Sequence, residues 1–170
     1  VRIGRRLLVK PSWLPAEPED GLLVIEMDPG MAFGCGTHPT TAMCMALLEE
    51  VIGGGETVLD VGTGSGILSI TAAGLGAASV LAVDPDPVAR ENVEANGLAH
   101  RSAVREGDLL EGVQTPADVI AANITADVII RLLPSAAALL KGGGKFIASG
   151  VIAGRREEVA GAIKGAGLKI

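Results

Sequence analysis

Aromatic side chains are nearly missing from this chain: of its 170 residues, two are phenylalanine, one is tryptophan and none is tyrosine. With 48% hydrophobic residues, the core has to be built from Val, Ile, Leu and Ala, which suits a parallel sheet covered by helices. Cysteine is equally scarce. Cys35 and Cys44 stand nine positions apart, with no Cys-x-x-Cys spacing and no histidine cluster. That pattern argues against a disulfide or metal site and for reduced thiols in a cytoplasmic protein. No apolar run approaches the ~18 residues of a membrane span, and no signal peptide is visible, so no membrane association is expected. Basic residues are outnumbered, 14 Lys and Arg against 20 Asp and Glu, for a formal net charge of −6. Direct nucleic-acid binding is therefore not expected, since phosphate contacts need clustered Lys and Arg, whereas a basic protein remains compatible as a partner. The length suits one domain with a proper core, without internal repeat or low-complexity segment. The chain starts at Val1, without methionine, inside what already reads as structure, as a fragment would.

What is abundant is glycine, 24 residues, and its placement organises the chain. Thr57-Val58-Leu59-Asp60 reads as a buried strand, and Gly62, Gly64 and Gly66 then alternate before a helical pattern begins. A loop of that kind lets a ligand lie against bare backbone, facing amide hydrogens and a positive helix end. Ahead of it, residues 5–10 and 21–27 are strand-like and bracket a proline-rich turn with Trp13, which suggests a small lid or hairpin with Trp13 as a packing anchor. Residues 28–41 form a glycine-rich loop carrying Phe33 and His38, of the kind that borders a ligand. This loop leads into a helix over 40–52 that Gly53-Gly54-Gly55 ends.

Beyond the central loop the pattern predicts a helix over 65–75 and a strand over 78–84. The next helix is expected to open with Asp86 as N-cap and Pro87 at its first position. A short strand near 103–105 and another over 117–122 follow, then a helix over 126–140, a strand over 145–149 and a helix over 155–165. Leu168-Lys169-Ile170 looks like the start of a further strand. Strand and helix thus alternate five times, which predicts right-handed crossovers, a doubly wound parallel sheet of the α/β class, and a ligand at the carboxyl ends of the strands. Residues 1–38 are read as N-terminal strands plus the ligand-bordering loop, and 39–170 as the ligand-binding unit of one structural domain.

A dinucleotide-binding loop has the spacing GxGxxG, and here the third position is Ile67. The observed GxGxG, preceded by Asp60, resembles the first motif of the class I S-adenosylmethionine-dependent methyltransferases, whose ligand has no pyrophosphate to place on a helix end. Asp84, closing the second strand of the unit, is placed to accept hydrogen bonds from two ribose hydroxyls. By the same resemblance Asp108 would meet the adenine amino group and Asp60 the methionine ammonium.

The run Asp28-Pro-Gly-Met-Ala-Phe-Gly-Cys-Gly-Thr-His-Pro-Thr-Thr41 resembles the signature of the bacterial ribosomal protein L11 methyltransferases. The likeness extends through residues 4–13, the central loop, Asp84-Pro85-Asp86-Pro87 and Ala122-Asn123-Ile124, nearly the whole chain. It implies N-methylation of protein amines, with the ribosomal stalk-base protein as substrate, a Rossmann-like fold, and a closing antiparallel strand pair that is truncated here. Under it, Asn123 is assigned to catalysis and to the cofactor, its side-chain oxygen accepting from the target amine. His38 is assigned as a proton relay, and Phe33 and Thr37 border the cofactor. A methyltransferase for another protein or a small molecule, a nicotinamide enzyme and a non-catalytic binding module stay open as alternatives.

Overall fold

The computed structural model describes residues 1–15, 21–28 and 38–170. Two sheets are present among them. The small one joins β1 (Arg2–Ile3), β2 (Leu7–Lys10) and β3 (Leu23–Glu26). Here β1 runs antiparallel to β2, but β2 and β3 are parallel, with Leu7 opposite Leu23. The expected hairpin is therefore not formed: residues 11–22 supply the roughly dozen positions that a parallel connection needs. Leu7, Val9 and Ile25 turn inward, while Trp13 is 65% exposed and anchors nothing in the core, against the sequence expectation.

The main sheet contains β4 (Thr57–Val61), β5 (Ser79–Asp84), β6 (Ser102–Glu106), β7 (Ala117–Asn123) and β8 (Leu140–Ser149), in the order β6-β5-β4-β7-β8 with every pair parallel. It is threaded by α1 (Pro39–Val51), α2 (Ile67–Gly74), α3 (Ala89–Ala95), α4 (Ala126–Leu139) and α5 (Arg156–Gly165). The doubly wound parallel sheet expected from the alternation is thus present. β4 sits in the middle because both of its faces are covered. Val58 packs into the core with Met45 and Leu48 of α1 and Ile70 of α2. Leu59 and Val61 pack on the opposite face with Ile120, Leu132 and Ala136. Period-two alternation then puts Asp60 on the α1–α2 face, where it is buried. The chain leaves β4 toward β5 and β6, then crosses back to β7 and β8. The order reverses between β4 and β7, which opens a crevice at their carboxyl ends.

Three local expectations change. α3 begins at Ala89, not Pro87, with Val88 and not Asp86 at its N-cap, and the Asp86 backbone N–H donates to Asp84 Oδ1 at 2.9 Å in the turn before it. β8 starts at Leu140 and runs through Gly142–Gly144 with a register shift against β7; a Cβ on Gly144 would stand 2.9 Å from the carbonyl oxygen of Asp118. Residues 168–170 form no strand: Gly167, at φ +84°, turns the chain so that Leu168 N–H bonds back to the Ile163 carbonyl and closes α5.

The small sheet is tied to the main unit by Glu49 of α1, only 7% exposed, whose two carboxylate oxygens accept from the backbone N–H groups of Arg5 and Arg6 at 2.8 Å each. A second tie is Asn96, which exchanges two 2.9 Å bonds with the backbone of Glu26. No helix among the described residues is long and apolar enough to cross a membrane.

Candidate active site

The crevice is walled by the turn after β4. Gly62, Gly64 and Gly66 all have positive φ, +70°, +53° and +85°, a conformation that favours glycine, so the alternating glycines answer a backbone requirement. Gly62 also has no room for a side chain: a Cβ there would meet Ile124 Cγ2 at 2.4 Å. Gly66 is the αL N-cap of α2 and packs on Ala89, behind the crevice and not in it. The crevice itself, of about 440 Å³, is lined by Gly62, Gly64, Asp84, Asp108, Thr41 and Asn123, among others.

Asp60 is buried beneath the loop. Its Oδ2 accepts from Thr63 Oγ1 at 2.5 Å, Ser69 Oγ at 2.7 Å and Ser69 N–H at 3.0 Å, which ties the loop to the first turn of α2. Its Oδ1 is buried without a partner. Burial pushes the Asp60 carboxyl above the usual carboxylate range, opposed by the bonds from Thr63 and Ser69. Asp84 closes β5 and bridges both sides of the turn: Oδ2 accepts from Gly64 N–H and Oδ1 from Asp86 N–H, each at 2.9 Å. Each oxygen retains a further lone pair for a ligand hydroxyl. Asp108 lines the same crevice and forms an ion pair with Arg131 of α4 at 2.8 Å, both side chains more than half exposed.

Asn123 ends β7 with its backbone held opposite Ser149 of β8, and its Nδ2 donates to Thr41 Oγ1 at 3.2 Å. It lines the crevice and also a second cavity of about 500 Å³, whose wall includes His38, Thr40, Ile124, Val128, Val151 and Ile152. His38 is the N-cap of α1. Its Nδ1 accepts from Thr40 N–H at 3.3 Å and lies 2.7 Å from Thr40 Oγ1, so this nitrogen serves the helix end. Phe33 and Thr37 lie outside the described residues, as does Cys35. Cys44 is fully buried against Ser149, and burial pushes its thiol up to about 11. No group of residues that could hold a metal ion occurs among the described residues.

Two adjoining cavities, one beside a glycine loop with acids at the strand ends and one mostly apolar, meet at Asn123 and Ile124. Residues 1–170 match the family model described as ribosomal protein L11 methyltransferase. The chain belongs to that family. It is 57% identical to a ribosomal protein L11 methyltransferase of Desulforamulus reducens, an alignment that covers 100% of this chain and 56% of the relative. The chain thus spans a little over half the length of the curated relatives it matches. The crystal structure of a ribosomal protein L11 methylase from Lactobacillus delbrueckii subsp. bulgaricus superposes with a TM-score of 0.90 at 36% identity, covering 98% of this chain and 87% of that one. A 16S rRNA N2 G1207 methyltransferase of T. thermophilus, solved with AdoMet and guanosine, shares the architecture at a TM-score of 0.60 and 28% identity, over 69% of this chain and 36% of that one. The sheet is that of a class I methyltransferase.

Several lining residues escape a reading of the family member's sequence alone. Thr41 ends the glycine-rich run 28–41 without a local mark of its role, and nothing in the sequence joins it to Asn123. Arg131 is one helical arginine among others until α4 places it over Asp108. Leu109, beside Asp108 in the crevice wall, has φ +52°, a left-handed conformation that its side chain does not announce.

Proposed function

We propose that this chain carries the catalytic unit of an S-adenosylmethionine-dependent N-methyltransferase that modifies lysine side chains or the N-terminus of ribosomal protein L11. The observation that carries the reading is the meeting of the two cavities at Asn123. The residues present suit the cofactor. The buried, unpartnered Asp60 Oδ1 lies beneath the loop and would reach a cationic amino-acid head through a bridging water, the positive-φ glycines keep side chains off the loop, and Asp84 offers lone pairs for ribose hydroxyls. Asp108 would accept from the adenine amino group, and its pair with Arg131 would have to share that carboxylate.

The bound cofactor supplies an electrophilic methyl group. What the protein has to supply is a neutral amine beside it, because an ammonium has no lone pair. Deprotonating a lysine of ordinary pKa at pH ~7.4 costs about 4 kcal/mol. The second cavity reduces that cost, since Ile124, Val128, Val151 and Ile152 disfavour the charged form. Asn123 Oδ1 then accepts one of the amine N–H bonds and aims the lone pair, a contribution of orientation more than of proton transfer. His38 lines the same cavity, but while Nδ1 accepts from Thr40 N–H the neutral ring carries its proton on Nε2 and has no lone pair there for the amine's proton, so the cap opposes a relay through this ring.

The test combines binding and transfer. Calorimetric titration with S-adenosylhomocysteine and with NADH should show binding of the first only, and Asp84→Ala should weaken it at least tenfold. Labelled cofactor should then transfer its methyl group to purified ribosomal protein L11 in the intact natural protein. Tight binding of NADH alone, or S-adenosylhomocysteine affinity that survives Asp84→Ala, contradicts the assignment.

A further inference from the structure

We infer that Ile152 is a specificity-determining residue for the acceptor protein, taking up an apolar side chain that lies beside the target amine. The inference rests on the methyl-transfer reading proposed above.

The apolar cavity is larger than the target side chain requires. A lysine stem with its nitrogen, at about 30 Å³ for each water-sized group, takes roughly 150 Å³. An N-terminal amine takes less. The cavity measures about 500 Å³, so most of it is left for a second group of the acceptor. Ile124, Val128, Val151 and Ile152 supply much of the wall and offer that group no side-chain hydrogen bond. A polar neighbour of the amine would lose hydration against them, whereas an apolar one gains by leaving water.

Ile152 is the part of this wall that faces outward, and its side chain is 70% exposed. A lone apolar residue on a surface is ordinary. This one differs because the fold fixes its backbone and leaves its side chain uncovered beside a cavity. On one side stands Gly150, at φ +87°, where a Cβ would clash with the Ile124 carbonyl oxygen, so the turn after β8 lies directly against the chain leaving β7. Val151 packs inward with Ile129 and Val159. Ile152 follows in extended conformation, φ −68° and ψ 148°, and so points the opposite way. On the other side Arg155 donates its N–H to the Ile152 carbonyl at 2.9 Å. Its guanidinium reaches Asp127 of α4 at 2.7 Å and Glu158 of α5 at 2.7 and 2.6 Å. The short segment from Gly150 to Arg155 is thereby anchored to β7 and to two helices. A side chain presented on such a support binds a partner with little ordering cost.

The experiment uses the intact natural protein, with ribosomal protein L11 as acceptor. Ile152→Ala should lower kcat/KM about tenfold, the low end of what a lost methylene or two is worth in an apolar pocket. The loss should lie in acceptor KM, with kcat and S-adenosylhomocysteine affinity within about twofold of wild type. Ile152→Leu should restore KM. Thermal melting should show no difference among the three proteins, because a mostly exposed side chain contributes little to folding. A clear fall in Tm for Ile152→Ala means that another part of the intact protein covers this residue, and overturns the inference. The partner side chain is found by locating the methylated sites by mass spectrometry and replacing each apolar residue within about three positions by alanine. One such L11 variant should raise KM with the wild-type enzyme and have no further effect with Ile152→Ala. Additive losses for every variant, methylated sites with no apolar neighbour, or an unchanged KM in Ile152→Ala also overturn it. Should the wild-type enzyme transfer no methyl group to L11, the proposed function falls and the inference with it. Should transfer proceed while Ile152→Ala is silent, only the inference about Ile152 falls.

Discussion

Alanine at Gly62 separates two physical demands that the central glycine makes at once. The residue has φ +70°, and its absent Cβ would lie 2.4 Å from Ile124 Cγ2. Holding an L-residue in the left-handed region costs about 1 kcal/mol or somewhat more. Forcing a methyl into occupied space costs about 1–3 kcal/mol. Together they give about 3 kcal/mol for Gly62→Ala, or a fall in Tm of roughly 6–12 °C for a domain of this size. The second demand can be removed independently, because Ile124→Ala deletes the Cγ2 methyl that the new Cβ would strike. In that background Gly62→Ala should cost only the backbone share, about 1 kcal/mol. Urea unfolding of the four proteins, followed by far-UV circular dichroism, yields the coupling directly. An equal cost in both backgrounds refutes the packing account. No cost in either refutes both.

The buried carboxylate predicts an unusual pH dependence. Because burial raises the folded pKa of Asp60, its stabilising share is fully present below the ordinary carboxylate value of ~3.9 and is lost as pH rises through the raised one. Relative to wild type, Asp60→Asn should therefore gain stability progressively from pH 4 to pH 7.5 while losing S-adenosylhomocysteine affinity; a pH-independent difference in urea midpoint contradicts this. Removing the tie to the small sheet with Glu49→Ala leaves the Arg5 and Arg6 amides without their acceptors, at about 2–4 kcal/mol in total. Hydrogen exchange should show those two amides losing protection first, and unchanged protection would dissociate Glu49 from the tie. The Cys44 thiol, raised to about 11 and fully buried, should react with a disulfide reagent at pH 8 only at the rate of unfolding, so fast labelling of the native protein counts against its placement.

Much of this protein is legible one residue at a time. The alternation of buried strands and helices, the glycine spacing after Asp60 and the acid that ends β5 are all local, because strand burial, positive φ and strand ends leave marks within a few neighbours. From these marks follow the parallel sheet, the crevice at its switch point and the place of Asp84. Asp86 shows where local reading gives way: Asp-Pro reads as a helix cap, yet its N–H is held by the Asp84 carboxylate in a turn and α3 starts only at Ala89. β2 and β3 read as a hairpin because sequence cannot report strand direction, and Trp13 reads as a core residue because it cannot report exposure.

The site divides along the same line. Its glycines and Asp84 are legible by type and spacing, and Asp60 and Asp108 by resemblance, since each is marked within its own loop. Its orientation is not. That Asp60 lies under the loop with one oxygen committed to Ser69 and the other without a partner depends on which face of β4 is covered by α2. That Thr41 meets Asn123 depends on α1 packing beside β7, which joins residues 82 positions apart. Chemical identity is local and survives in a sequence. The direction in which a carboxylate points is set by neighbours that only the folded chain brings together.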